Sequence, residues 1–462
     1  MTIWPPKRDA LTRPTYRSLA QCLVEAVRSG AVQPGARLPT HRALAYDLGL
    51  SVQTVSRAYD ELRRLGVIHG EVGRGSFVRY RPVDASTPWH RGIPQSGVID
   101  CSMLVPVTGG AQADYMSRTL RELAADPPES MLFSFRPRAT LEAHCRAARD
   151  WISRCGLDVE ADRIVPSNGA TAAMHVALMT AVSPGDLVVT EEMGHHTLKS
   201  LTHAMGLRLR GVAIDGEGIR PDALESMSRS NEIKAVFVHP SGLNATAALM
   251  SEERRLALAE VARRRNLLII ENDAWGPVQP GRSPPLARIA PERTFYITGL
   301  SKCLLPGLRI GWLVPPGEYV HTARARHLVS QWMATPLMAE IAMRWLVDGS
   351  ALELLRWQRQ QLQRRNELAL GMLGDAEIRS VQNGLHVWAP LTQPWREEDF
   401  VAHALQNGVA VASGANFAIE DTRRHFGVRI ALGAGSEDDL ANGLSIIARL
   451  LRSEPEPAVL PF

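Results

Sequence analysis

The sequence predicts an α/β protein in two parts: a large body built on a mostly parallel sheet flanked by helices, and a small, largely helical head in front of it. Three observations carry the prediction. From about residue 140, helical stretches alternate with short β-branched runs at 187–190, 234–238, 267–270 and 294–297, as in parallel strands joined by helical crossovers. Charge is unevenly spread. Residues 1–81 hold thirteen Lys and Arg against six Asp and Glu, a net of +7, which leaves the rest of the chain at −3 within a total of +4. A basic head on a mildly acidic body is the charge footprint of a nucleic-acid-binding module joined to something else. Length is the third observation: 462 residues exceed one ordinary domain, and 45% hydrophobic with 22% charged residues is the balance of a soluble globular chain.

Composition also excludes several classes. No apolar run approaches the ~20 residues needed to span a bilayer. Pro5, Pro6, Lys7 and Arg8 interrupt any signal-peptide pattern. The five cysteines, at 22, 101, 145, 155 and 303, are odd in number and scattered, without a Cys-x-x-Cys pair. That pattern points to reduced thiols in the cytoplasm and away from a zinc site or a disulfide framework.

In the head, Leu19, Leu23 and Val27 recur at four-residue spacing, which predicts an amphipathic helix. Pro34 and Gly35 break the chain. Thr40 then caps a short helix through Leu44, Ala45 and Leu48, which Gly49 ends. Ser51 is an N-cap for a third helix with Val55, Ala58, Tyr59, Leu62 and Leu65 as its buried stripe. The tight Gly-Leu-Ser turn between the second and third helices gives helix-turn-helix geometry. Two short runs, 67–69 and 76–78, read as strands around Gly73, Arg74 and Gly75, a β-wing.

The pattern Pro34 to Ala45, Leu48 to Ser51, Thr54, Val55, Ala58, Tyr59, Leu62, Gly66, Ile68 and Gly73 to Val78 resembles the GntR family of winged helix-turn-helix regulators. The resemblance implies double-stranded operator DNA as a partner, with Arg37, Thr40, Arg42, Ser51, Gln53, Thr54, Arg57 and Arg74 as the contact set. One position departs. Where the family usually carries an arginine that reads guanine, this chain has Val52, whose apolar side chain suits only a thymine methyl. Residues 82–98, rich in Pro, Gly and Ser, read as a linker between a head at 1–81 and a body at 99–462.

The body's most informative residue is Lys302. The chain has only four lysines against 48 arginines. Guanidinium stays protonated, whereas a desolvated amine can attack a carbonyl and form a Schiff base. Arg309, seven residues on, is a fork-shaped phosphate donor. An imine-forming amine near a phosphate clamp suggests pyridoxal 5′-phosphate (PLP). The residues from Ser167 to Thr171, entering a helix near Ala172, offer free backbone N–H groups to the same phosphate. Asn244, the run Glu271 to Trp275, and Lys302 follow the strands at 234–238, 267–270 and 294–297, where parallel sheets place their ligands.

Together these features resemble the fold type I PLP-dependent aminotransferases, with a smaller α+β subdomain expected beside the main sheet. The resemblance implies Lys302 as the Schiff-base lysine, Ala170, Thr171 and Arg309 around the phosphate, and Ser301 among the cofactor-binding residues. It further implies Asn244 on the phenolic oxygen, His195 stacked on the ring, and Arg429 clamping an effector carboxylate. Asn272 and Trp275 fall where the family has an aspartate against the pyridine nitrogen and a tyrosine three residues later. Asparagine cannot hold that nitrogen protonated, so the ring would be a weak electron sink. Asp273 is one residue away, but side chains alternate along a strand and Asn272 takes the slot. Gly299 stands where a serine usually helps hold the phosphate. Head, linker and body in one chain are similar to the MocR subfamily of bacterial regulators, and the run Gly384 to Trp388 fits it too. The expectation is a cytoplasmic, homodimeric, DNA-binding regulator, rather than a true enzyme, that senses an amino acid or amine by aldimine exchange at Lys302. An active aminotransferase with a vestigial head, or a regulator whose body no longer uses PLP, are the alternatives.

Overall fold

A computed structural model of the chain describes residues 4–8, 11–28, 32, 35–64, 67–71, 75–78, 97–133, 138–374, 376–420 and 425–455. The chain divides into two compact units, Met1–His90 and Arg91–Phe462. Nearly all of the expected linker, together with Leu65, Gly66, Gly73 and Arg74, lies outside the described residues.

The head consists of helices α1 (Thr15–Arg28), α2 (His41–Leu48) and α3 (Val52–Arg64) and an antiparallel hairpin of β1 (Ile68–Glu71) and β2 (Gly75–Val78). Each boundary has a local cause. The Thr40 hydroxyl accepts from the Ala43 amide at 3.2 Å, and Gly49 ends α2 at φ +60° in the left-handed region. The Ser51 hydroxyl accepts from the Thr54 amide at 3.1 Å and starts α3. The stripe Val55, Ala58, Tyr59 and Leu62 is fully buried against Leu19, Leu23 and Leu44. Tyr59 keeps its hydroxyl satisfied there by donating to the Pro39 carbonyl at 2.8 Å.

The body holds two sheets. The larger contains β4 (Val165–Ser167), β5 (Leu187–Glu191), β6 (Arg208–Val212), β9 (Ile233–Val238), β10 (Leu268–Asn272), β11 (Thr294–Gly299) and β12 (Gly311–Val314), ordered β4-β12-β11-β10-β9-β5-β6. All its pairings are parallel except those of β12, which runs against both neighbours. Most of these strands are buried along their whole length, because helices cover both faces, which explains their continuous apolar runs. The smaller sheet, ordered β13-β15-β14-β3, joins β3 (Ile99–Cys101), β13 (His386–Pro390), β14 (Val409–Ser413) and β15 (Gly427–Ala431). Between β6 and β9, β7 (Ile214–Asp215) and β8 (Gly218–Ile219) form a two-residue hairpin. Among the described residues no helix is long and apolar enough to cross a membrane, and all five cysteines are free thiols.

Two details correct the expected boundaries. The helix placed near Ala172 begins at Ala170, directly after the sharp turn at Gly169. The strand placed at 267–270 continues through Asn272. Gly299 has a steric explanation. It pairs with Gly311 across β11 and β12, and a Cβ there would lie 2.8 Å from the Ile310 carbonyl oxygen. Close strand approach therefore excludes the serine that the family usually has.

Candidate cofactor site and nucleic-acid interface

In the body, the C-terminal ends of the parallel strands bring together residues separated by more than a hundred positions. Lys302 follows β11, half-buried, with its amine donating to the Leu104 carbonyl. Burial, then the positive charges of Arg429 and Arg309, push the Lys302 amine down to about 8. A cation held among cations sheds its proton more readily, and the neutral amine is the nucleophile.

Arg309 caps the turn Pro306–Leu308 at φ +47° and is turned against Gly169. A Cβ at Gly169 would lie 2.9 Å from the Arg309 guanidinium, so the absence of a side chain is what admits it. Gly169 sits at φ +87° and leads into the helix Ala170–Ala181, whose first amides are free for an anion. Ser301, one residue before Lys302, has a buried hydroxyl with no partner among the described residues. Arg309 thus meets the turn from which the helix at Ala170 starts, and its charge reaches the Lys302 amine.

Asn272 ends β10 and Asp273 follows it, and the two side chains meet different neighbours. The Asn272 carbonyl oxygen accepts from the Ala274 amide at 3.2 Å, and its amide nitrogen lies 3.2 Å from His239 Nε2 and 3.6 Å from Met174 Sδ. Asp273 is committed elsewhere: it pairs with the buried Arg282 and accepts from the Tyr296 hydroxyl at 2.5 Å. Trp275 donates its indole N–H to the Ser241 carbonyl at 2.6 Å, so that donor is spent on the segment that follows β9.

His195 stacks on His196 with ring centres 4.5 Å apart, and on His239 at 5.2 Å and 5°. Burial and the neighbouring His196 hold the His195 imidazole well below its ordinary range. Asn244 lies 3.2 Å from His196 Nδ1, and its oxygen accepts from Arg429 at 2.7 Å. Arg429, buried on β15, also donates to the Ser102 carbonyl and lies 4.8 Å over the Phe417 ring, while its Nε has no partner among the described residues. Burial lowers Arg429 to about 10, against the opposing charge of Asp100.

Residue-by-residue reading missed His196, His239 and Glu191. Glu191 accepts from the His239 amide and from Thr190 Oγ1, both at 2.7 Å, and lies 3.8 Å from His239 Nδ1. Glu191 thus holds the backbone of His239, whose ring lies against Asn272. The only available signal was position: Glu191 ends β5, and His239 immediately follows β9.

In the head, Arg37, Thr40, Arg42, Ser51, Gln53 and Arg57 are exposed, and Thr54 is half-buried. The Ser51 and Thr54 hydroxyls bond each other at 2.8 Å. Arg74 lies outside the described residues. Tyr46 on α2, 88% exposed, is a further aromatic group on this unit that sequence reading did not single out.

Residues 119–447 match the model of the family "aminotransferase class I and II", and residues 15–78 match "bacterial regulatory proteins, gntR family". The uncharacterized HTH-type transcriptional regulator YdeF of Bacillus subtilis is 26% identical over 97% of this chain and 96% of its own. The probable rhizopine catabolism regulatory protein MocR of Rhizobium meliloti is 27% identical over 66% of each chain. Among solved structures, an archaeal alanine:glyoxylate aminotransferase superposes with a TM-score of 0.71 at 23% identity, covering 77% of this chain and 91% of that one. The body family's cofactor is PLP. The residues present fit it: a partly desolvated amine, the Arg309 guanidinium admitted by Gly169, and unpartnered buried polar atoms at Ser301, Thr246 and Arg429. The chain belongs to the class I and II aminotransferase family through its body and carries a gntR-family head, the two-part architecture of the MocR-type transcriptional regulators.

Proposed function

We propose that this protein is a cytoplasmic, homodimeric transcriptional regulator that binds operator DNA through its head and senses an amino acid or amine at Lys302. PLP, when bound, supplies an aldehyde that captures amines and a ring that withdraws electrons from them when its nitrogen is protonated. Lys302 would provide the nucleophilic amine, Arg309 and the amides at Ala170 and Thr171 would hold the phosphate, and Ser301 would lie among the cofactor-binding residues. Asn244 would bond the cofactor's phenolic oxygen with Trp275 nearby, and His195 would offer a stacking surface. Arg429, whose Nε has no partner among the described residues, would clamp the effector's carboxylate.

One observation carries the regulatory reading. The slot for the nitrogen partner holds Asn272, pinned by Ala274 and His239, while Asp273 is locked to Arg282 and Tyr296. A neutral amide does not keep a pyridine nitrogen protonated. The site thus retains amine capture, which needs no electron sink, and loses the support for α-proton removal. Occupancy can then act only by favouring one body conformation over another, which requires differential affinity between the two.

The test is direct. Full-length protein titrated with PLP should develop a visible absorbance band that shifts on adding the right amino compound, with no keto acid formed. A duplex from the neighbouring promoter should be retarded on a gel, to a degree that depends on that compound. Absence of both the band and the retardation overturns the reading.

A further inference from the structure

The first turn of α3 presents an unusual surface for a DNA-reading helix. Ser51 and Thr54 spend their hydroxyls on each other, and Ser56 Oγ lies 3.2 Å from His41 Nδ1. That leaves Val52, Gln53 and Arg57 as the exposed side chains at this end of the helix. Val52 is the apolar one. It stands at the first helical position, 47% exposed, at the border between the buried stripe and the outward face. Val55, one turn on, completes the core with no exposure at all, so the core does not draw Val52 in.

The N-terminal residues of a recognition helix are the ones that meet base edges. In the major groove every base edge offers hydrogen-bonding groups, but only thymine adds a methyl. An isopropyl group at this position gains by covering that methyl. Over guanine or cytosine it would strip water from O6, N7 or N4 and return no hydrogen bond, a penalty without compensation. Gln53, the next residue, can take adenine N6 and N7 in a bidentate pair, which suits the same A·T-containing step.

We propose that Val52 is a specificity-determining residue that reads the 5-methyl group of a thymine in each operator half-site. The proposal rests on the head's reading as an operator-binding module and adds the base it selects. The full-length protein would be used to enrich duplexes from a randomised pool. In the enriched sequence, each thymine would then be replaced singly by uracil, which removes the methyl and keeps every hydrogen-bonding group. One thymine per half-site should respond, binding weakening about fourfold, the worth of one buried methyl-sized group. Val52→Ala should bind the thymine and uracil duplexes equally, with an unchanged melting temperature. Val52→Arg should shift the enriched base at that position to guanine. If no uracil substitution weakens wild-type binding, or if Val52→Ala still distinguishes the two duplexes, the proposal fails while DNA binding stands. Failure to enrich any sequence overturns the operator reading itself, and this proposal with it. Should Val52→Ala not fold, the uracil series on the wild type decides alone.

Discussion

In the head, the described side chains offered to a ligand are exposed, with Thr54 half-buried, and lie within twenty residues of one another; in the body, they range from exposed (Thr171, Arg309) to buried (Asn244, Asn272, Arg429) and arrive from segments far apart in the chain. Arg42, Gln53 and Arg57 need only a correctly capped pair of helices to be presented. Lys302, Asn244, Asn272 and Arg429 need four strands in register. The difference teaches where each unit is fragile. A surface reader loses affinity when a side chain is removed but keeps its fold. A buried site is bound up with the core beneath it, so chemistry and stability fail together.

The largest effect should come from Lys302→Ala. It should abolish the PLP-dependent absorbance band while leaving the head's melting transition unchanged; a band that survived would break the assignment of the body site. Next is Asp273→Asn, which should leave Arg282 buried without its anion and cost the body about 3–5 kcal/mol in denaturant unfolding. No head substitution among Arg42, Gln53 and Arg57 should cost stability on that scale, and one that did would erase the contrast drawn above. Arg309→Ala should weaken PLP roughly ten- to a hundredfold in an equilibrium titration, the worth of a charge-assisted contact to phosphate.

Smaller effects sharpen the same contrast. Because the Lys302 amine is pushed down to about 8, its neutral fraction grows with pH below that value. Stopped-flow capture of PLP should accelerate about tenfold per pH unit between pH 6 and 7 and level off above about pH 8. A rate still climbing steeply at pH 9 would mean an ordinary, solvated lysine. Thr40→Ala removes the cap of α2 and should cost the head about 1 kcal/mol in a thermal melt, with the PLP band untouched.

Much of this was legible in the sequence because the signals were local. The caps at Thr40 and Ser51, the stripe from Val55 to Leu62, and the strand runs at 187–190 and 294–297 each depend on neighbours within a turn or a pleat. Lys302, Arg309 and Gly169 carry chemistry that their residue types announce. His196, His239 and Glu191 did not stand out, since a histidine or glutamate has no local mark of what it will meet across a sheet. Trp275 shows the converse: its place three residues after Asn272 marked it as a cofactor neighbour, but its indole donor is taken by the Ser241 carbonyl. Gly299 seemed a lost contact and is instead a point where two strands touch.

The chain by itself determined the two-part plan and the helix boundaries of the head and singled out Lys302 among four lysines, because propensity, capping and the chemistry of a single side chain act at short range. Only the tertiary structure decided that Asp273 is occupied by Arg282 and Tyr296, that Asn272 leans on His239, whose backbone Glu191 holds, and that cations crowd Lys302. Those relations depend on burial and on distances between segments that fold from opposite ends of the body, and electrostatics in a desolvated pocket responds to distance, not to sequence separation.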